Sequence, residues 1–192
     1  MNYKIRTFFA TLLFILVTGS SFAQIHGIDL RSDLPSWGLL SPSMGADINL
    51  NQRWSIGING SYAHWHIFNK GHFPRISIAE ATIRRYGKGD ATFKGFYWGA
   101  SIGMQWYDIN PKNHKGWNGH NLAAGLLAGY TLPLSSNWAF DAGLGAGYLY
   151  RDYKRFQWYA PTHMHRISSI HRGSAFGITN LNISVIHRFK CR

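Results

Sequence analysis

The stretch that decides the fold runs from Phe96 to Tyr107 and reads Phe-Tyr-Trp-Gly-Ala-Ser-Ile-Gly-Met-Gln-Trp-Tyr. Large apolar side chains fall on every second residue, and most residues between them are small or polar. Because successive side chains of a β-strand point to opposite faces, this alternation predicts a strand with one apolar face. Phe96 and Trp98 stand at one end of that face and Trp106 at the other. Aromatic residues at both ends are typical of a strand that crosses a membrane in a β-barrel.

Seven further segments share this alternation in stronger or weaker form, so the chain is predicted to contain eight strands. The seven are residues 27–34, 43–50, 54–62, 75–86, 122–132, 138–151 and 175–189. We expect their apolar faces to contact lipid and their small or polar faces to fill the lumen, whereas a soluble barrel would reverse the two. The sequence therefore predicts an all-β fold, an eight-stranded antiparallel transmembrane β-barrel with a filled polar interior.

The connections and the aromatic residues predict how such a barrel lies in the membrane. Shorter connections at 51–53, 87–94 and 133–137 alternate with longer ones at 35–42, 66–74, 108–119 and 154–173, which predicts periplasmic turns and external loops. The residues expected to form the aromatic girdle are Trp54, Phe96, Trp98, Trp106, Trp138, Tyr148 and Tyr150.

Composition excludes several other classes. Charged residues make up 15% of the 192 residues and aromatic residues 16%, which is opposite to the composition of a disordered chain. The 21 glycines disfavour a helical bundle, and the single cysteine excludes an internal disulfide framework. The net charge of +12 would suit nucleic acid, but in an exported protein we expect the cations to neutralise lipid phosphates instead.

The first 23 residues are predicted to be an export signal. Lys4 and Arg6 precede an apolar run over 8–17, and Ser21-Phe22-Ala23 places small residues where a signal peptidase reads them. An uncleaved N-terminal helix is the alternative. The predicted domains are therefore a signal peptide over 1–23 and an outer-membrane barrel over 24–192, located in the bacterial outer membrane.

Charged residues on the predicted inner face are the first candidate site. An eight-stranded lumen is filled by side chains, so charges there must pair with one another to offset the cost of desolvation. We expect a network of salt bridges that closes the barrel, with a proton or ion path as the alternative. Its members are Asp29, Arg31, Asp47, Glu80, Arg84, Asp141 and Arg151, with Asp33 as a further inward carboxylate.

Histidines near the predicted loops are the second candidate site. His64 and His66, and likewise His163 and His165, have the i, i+2 spacing that puts two imidazoles on one face of a strand. Such pairs can bind zinc, copper or haem, but no carboxylate accompanies them. We therefore expect contacts with lipopolysaccharide phosphates and sugars, with no metal site and no cofactor.

An enzyme that modifies lipid A is the third possibility. Ser169 or Ser168 with His171, or Ser61 with His64, would supply a nucleophile and a base. A triad also needs an acid to orient the histidine, and none is evident nearby. The sequence therefore favours a protein without enzymatic activity. Cys191 follows the last strand and is expected to be an incidental periplasmic thiol.

Gly45-Ala46-Asp47-Ile48-Asn49-Leu50 leading into Arg53-Trp54-Ser55 resembles a small family of outer-membrane barrels of unknown function from Bacteroidetes. Trp138-Ala139-Phe140-Asp141, then Gly145 to Tyr148, resembles the family's penultimate strand. The chain departs from the family at Ile178, where proline is frequent. The family's genes often stand beside fimbrial genes, so the resemblance implies an accessory role at the cell surface. We expect a structural or accessory barrel whose partners are lipopolysaccharide and a fimbrial or other surface protein, with no nucleic acid.

Overall fold

A computed structural model describes residues 25–38, 40–64, 75–88, 92–109, 115–159 and 164–190. Eight antiparallel strands form a closed barrel in which each strand pairs with the next and β1 pairs with β8. The strands are β1 (Ile25–Asp33), β2 (Ser43–Leu50), β3 (Trp54–His64), β4 (Arg75–Tyr86), β5 (Gly95–Ile109), β6 (Lys115–Pro133), β7 (Trp138–Tyr159) and β8 (Met164–Lys190). The predicted eight-stranded antiparallel β-fold is confirmed.

The barrel has two unlike ends. The turn end carries the first residue of β1, the last of β8 and the connections 51–53 and 134–137. The opposite end, where β1, β3, β5 and β7 finish, is called the loop end. Strands β1 and β2 contain 9 and 8 residues, whereas β6, β7 and β8 contain 19, 22 and 27. One side of the wall is therefore much taller and rises at the loop end.

This tall wall corrects the predicted long loops at 108–119 and 154–173. Most of those residues continue the strands: Trp117 pairs with Arg155, and Tyr153 pairs with His171. The prediction was wrong because apolar alternation appears only where one face of a strand contacts an apolar environment. The hydrogen bonds between neighbouring strand backbones continue beyond that region.

The outer wall carries an apolar band. Met44, Leu126 and Phe176 are 75%, 74% and 82% exposed. Exposed isoleucines and leucines from every strand accompany them on this surface, except in the loop-end half of β4. Trp54, Phe96, Trp98 and Trp138 lie outward near the turn end. Trp106 and Tyr148 lie outward nearer the loop end, as does the half-buried Tyr150. Most of the large apolar residues thus surround the barrel, and few of them lie inside it.

A short helix α1 (Leu34–Gly38) follows β1 directly. Asp33 caps it, because its carboxylate accepts hydrogen bonds from the Ser36 backbone N–H at 3.2 Å and the Ser36 hydroxyl at 2.7 Å. In the described part of the chain, no helix is long and apolar enough to cross a membrane.

One irregularity changes which residues of β8 face the lumen. Gly145 pairs with Asn180 and Ala146 with Ile178, so Thr179 is an extra residue opposite β7. Such a bulge shifts the alternation by one residue, so that residues on one side of it face opposite to the direction that a regular strand would give them. Alternation alone predicts that Thr179 points outward, but its hydroxyl is buried and lines an internal cavity.

Candidate functional site

Four charged side chains meet inside the barrel near the middle of the short strands. Arg31 of β1 lies 2.9 Å (Nε) from Asp47 of β2 and 3.3 Å (Nη2) from Asp141 of β7. Arg84 of β4 lies 3.3 Å (Nη1) from Asp47 and 3.9 Å from Asp141. All four side chains are at most 4% exposed. We call Arg31, Asp47, Arg84 and Asp141 the charge cluster; its formal charges cancel.

Asp141 is the most heavily hydrogen-bonded member of this cluster. Thr131 donates to its Oδ1 at 2.7 Å, the Tyr97 hydroxyl donates to its Oδ2 at 3.2 Å, and the Asn182 amide donates to the same oxygen. A buried carboxylate has to regain the hydrogen bonds that water would have given it. Strands β5, β6 and β8 supply these donors and so complete the cluster.

Aromatic side chains close the lumen between the charge cluster and the turn end. Tyr86, Phe93, Tyr97 and Leu127 form a buried apolar group. The rings of Tyr86 and Phe93 meet edge to face with centroids 5.5 Å apart, and the Arg84 guanidinium lies 5.3 Å from the centre of the Tyr97 ring. Sequence reasoning missed this group because Tyr97 alternates with outward aromatic residues on β5 and Phe93 falls in a predicted connection.

Two inward glycines make room for the charge cluster. A Cβ at Gly57 would collide with the Asp47 carboxylate, and a Cβ at Gly143 would lie 2.5 Å from the Tyr97 hydroxyl oxygen. Neither position can hold a side chain without displacing a group that the cluster uses. These glycines therefore have a packing role in the lumen.

The other predicted lumen charges lie apart from the charge cluster. Asp29 is 3.6 Å from Arg188, whose guanidinium also donates to the Thr92 and Phe93 carbonyls near the turn end. Glu80 accepts a hydrogen bond from the Asn180 amide. Arg151 is exposed and lies nearer the loop end, next to Tyr107 and Tyr153. The structure thus divides the predicted single network into separate groups.

A cavity fills the lumen between the charge cluster and the loop end. Its deeper part, about 290 Å³, has Arg31, Asp47 and Arg84 at its floor and Asn59 and Glu80 in its wall. Its outer part, about 380 Å³, is lined by aromatic and polar side chains: Tyr107, Trp117, Arg151 and Tyr153. Gln105, Asn121 and Leu149 line both parts, so the two are adjacent. We call the two parts together the vestibule.

The predicted histidine pairs fall mostly on residues that the structure does not describe. His66 and His163 lie outside the described residues, and so does the side chain of His165. His64 ends β3, where its ring nitrogen is 3.4 Å from an Arg75 nitrogen. Within the described ranges, no group of three or more histidine, cysteine, aspartate or glutamate side chains could hold a metal ion.

Of the two predicted serine–histidine pairs, the structure brings one together. The Ser169 hydroxyl lies 2.8 Å from Nε2 of His171 on β8. The His171 ring stacks on Tyr153 with centroids 5.0 Å apart, so the pair stands beside the outer part of the vestibule. Ser61 and His64 are three residues apart on one strand and face opposite sides of the wall, so that predicted pair is wrong.

A comparison with protein families gives one match. A family described as "Protein of unknown function (DUF3575)" matches residues 9–189. The chain belongs to this family. The match extends over the whole barrel and into the predicted signal peptide, and it confirms the resemblance to a family of unknown function. No curated protein and no solved structure matches the chain.

Proposed function

We propose that this member of DUF3575 is an integral protein of the bacterial outer membrane. The single observation that supports it best is the outer wall, where exposed leucines and isoleucines form a band with aromatic residues on both sides. A closed barrel has no unpaired strand edge, and every backbone polar group of its strands can be paired within the wall. Such a surface suits lipid, since in water a wall this apolar would associate or aggregate.

The proposed orientation places the turn end in the periplasm and the loop end outside. Short turns and both chain termini lie on the periplasmic side of bacterial outer-membrane barrels, and longer segments lie outside. The tall wall of β6, β7 and β8 then stands above the membrane. It offers a rigid surface for contact with lipopolysaccharide or with a fimbrial or other surface protein.

The charge cluster and the aromatic group beneath it support a platform instead of a pore. Both fill the cross-section of the lumen at the turn end, so we infer that solutes do not pass through. The proposed role is therefore structural or accessory: the barrel anchors a surface site in the outer membrane.

Cysteine labelling on intact cells tests this orientation. In a Cys191→Ser background, we expect Lys115→Cys to react with an impermeant maleimide and Asn137→Cys to react only after the cells are opened. Labelling of Asn137→Cys alone on intact cells would reverse the orientation. A barrel recovered from the soluble periplasmic fraction would overturn the membrane assignment. A crosslinked complex with a fimbrial subunit on intact cells would support the accessory role.

The Ser169–His171 hydrogen bond favours a second candidate function, the hydrolysis of an ester or amide at the cell surface. Nε2 of His171 is positioned to accept the serine proton, as a nucleophile requires. A fluorophosphonate probe tests this candidate, because it labels only activated serines. Labelling that Ser169→Ala and His171→Ala both abolish would establish it, and the absence of labelling on the folded protein would exclude it.

A further inference from the structure

The vestibule carries unpaired polar groups at its wall. Within the described part of the chain, no hydrogen-bond partner is found for the buried side-chain oxygens of Asn59, Ser61, Asn121 and Thr179. All four residues line the deeper part of the vestibule, and Ser61 is only 8% exposed. A buried polar group without a partner keeps the cost of its desolvation, so four in one cavity call for a partner that the wall does not supply.

The chemistry of the wall indicates what that partner is. Amide side chains both donate and accept hydrogen bonds, as do hydroxyls, and the vestibule presents Asn59, Gln105, Asn121 and Asn180 together with the two hydroxyls. A ligand that matches them carries several hydroxyl groups. The floor is formally neutral, and the wall adds the carboxylates of Asp33 and Glu80 and the guanidinium of Arg151. Charges of both signs thus nearly balance, which disfavours a strongly charged ligand.

Aromatic rings line the outer part of the vestibule. Tyr107, Trp117 and Tyr153 line it, and the stacked His171 ring covers one face of Tyr153. Rings of this kind combine an apolar surface with a polar edge, which suits a ligand that is hydroxylated at its rim and carries C–H groups on its faces. A pyranose sugar has this combination. Rings at the entrance with amides deeper inside thus match a sugar that enters from the loop end.

The closed floor limits how a sugar can enter. The charge cluster and the aromatic group below it block the way to the turn end, so a polymer cannot thread through. Only the end of a glycan chain, or a free sugar, can occupy the deeper part. The combined volume falls in the range of ~300–1,000 Å³ that ligand pockets have.

We propose that the vestibule binds the terminal residue of a surface glycan, a neutral pyranose. Only the direction of entry rests on the proposed orientation, since the site itself depends on the lumen and not on the membrane. The sugar's hydroxyls pair with the free oxygens of Asn59, Ser61, Asn121 and Thr179, and its apolar face packs on the entrance rings. The barrel then holds the end of a glycan at the cell surface.

Binding to the full-length mature barrel in a detergent without sugar headgroups, such as lauryldimethylamine oxide, tests this proposal. The probes are free glucose, galactose, mannose, N-acetylglucosamine and rhamnose, measured by saturation-transfer NMR and calorimetry. We expect at least one to bind with a Kd of about 1 mM or tighter. We also expect its deoxy analogues to bind more weakly, because a site built around a hydroxyl leaves polar groups unpaired without it.

Matched variants locate the site. Asn121→Ala and Gln105→Ala are expected to weaken binding about fivefold to tenfold each, since each removes a hydrogen bond. Asn118→Ala is the control, because Asn118 lies on the same strand with its exposed side chain on the outer face. Heat-modifiable mobility in gels verifies that each variant is folded.

Several results would overturn the proposal. These are no binding by any probe to the folded protein, equal loss of binding in Asn118→Ala and Asn121→Ala, or stronger binding of inorganic phosphate than of every sugar. Ala123→Phe gives an independent check, because Ala123 lines the deeper part and a larger side chain there should abolish binding. Sugar binding in detergent combined with reversed cysteine labelling would retain the site and refute the proposed orientation.

Discussion

The two halves of the lumen differ although the same strands build both. Toward the turn end, charged and aromatic side chains pack so closely that a Cβ at Gly57 or Gly143 would displace one of them. Toward the loop end, the vestibule leaves volumes of about 290 and 380 Å³ unfilled by side chains. The contrast indicates a division of roles: the closed half stabilises the barrel, and the open half is free to bind a ligand.

The largest effect is expected from breaking the charge cluster. Asp141→Ala leaves the buried Arg31 and Arg84 short of a partner, which should lower the free energy of unfolding by about 3–5 kcal/mol. Urea unfolding in detergent micelles, followed by tryptophan fluorescence and gel mobility, measures this loss.

The control for Asp141 is Asp152→Ala at the loop end. Asp152 is 2.9 Å from Arg172, whose side chain is 68% exposed, so that pair should contribute about 0–1 kcal/mol. Equal losses in the two variants would contradict the assignment of stability to the closed half.

A second comparison separates the proposed membrane face from the wall above it. Leu144 is 52% exposed in the middle of the apolar band, so Leu144→Arg should cost about 2–4 kcal/mol in a bilayer. Ile170 is equally outward but lies toward the loop end, next to Lys154, and Ile170→Arg should have little effect. The measurement is the folded fraction after refolding into phosphatidylcholine vesicles. Similar folded fractions for both variants would argue against a membrane band at Leu144.

The substitution with the smallest expected effect tests packing alone. Gly57→Ala inserts one methyl group against the Asp47 carboxylate, which should destabilise the barrel by about 1–3 kcal/mol. Gly173→Ala adds the same methyl group to open space and should change stability by less than about 0.5 kcal/mol. Urea midpoints of the two variants give the comparison, and a neutral Gly57→Ala would show that the closed half is less tightly packed than described.

Some of the candidate site follows from sequence and some does not. The alternation around Asp47, Arg84 and Asp141 places these residues on the inner face, because side-chain direction in a strand depends only on residue parity. Which charges meet does not follow from parity. Arg31 and Asp141 are 110 residues apart in the chain and come together through the stagger of strands around the closed barrel. The same stagger leaves Glu80 beside Asn180 and Arg151 near the entrance.

The sequence by itself determined the strand number, the all-β class and the division into an apolar outer face and a polar inner face. These properties are local, since a period of two residues sets them within each strand. Only the tertiary structure decided the tall wall of β6, β7 and β8, the inward turn of Thr179 at its bulge, and the pairing of the charges. It also decided the vestibule, because an empty volume between strands exists only once the barrel has closed.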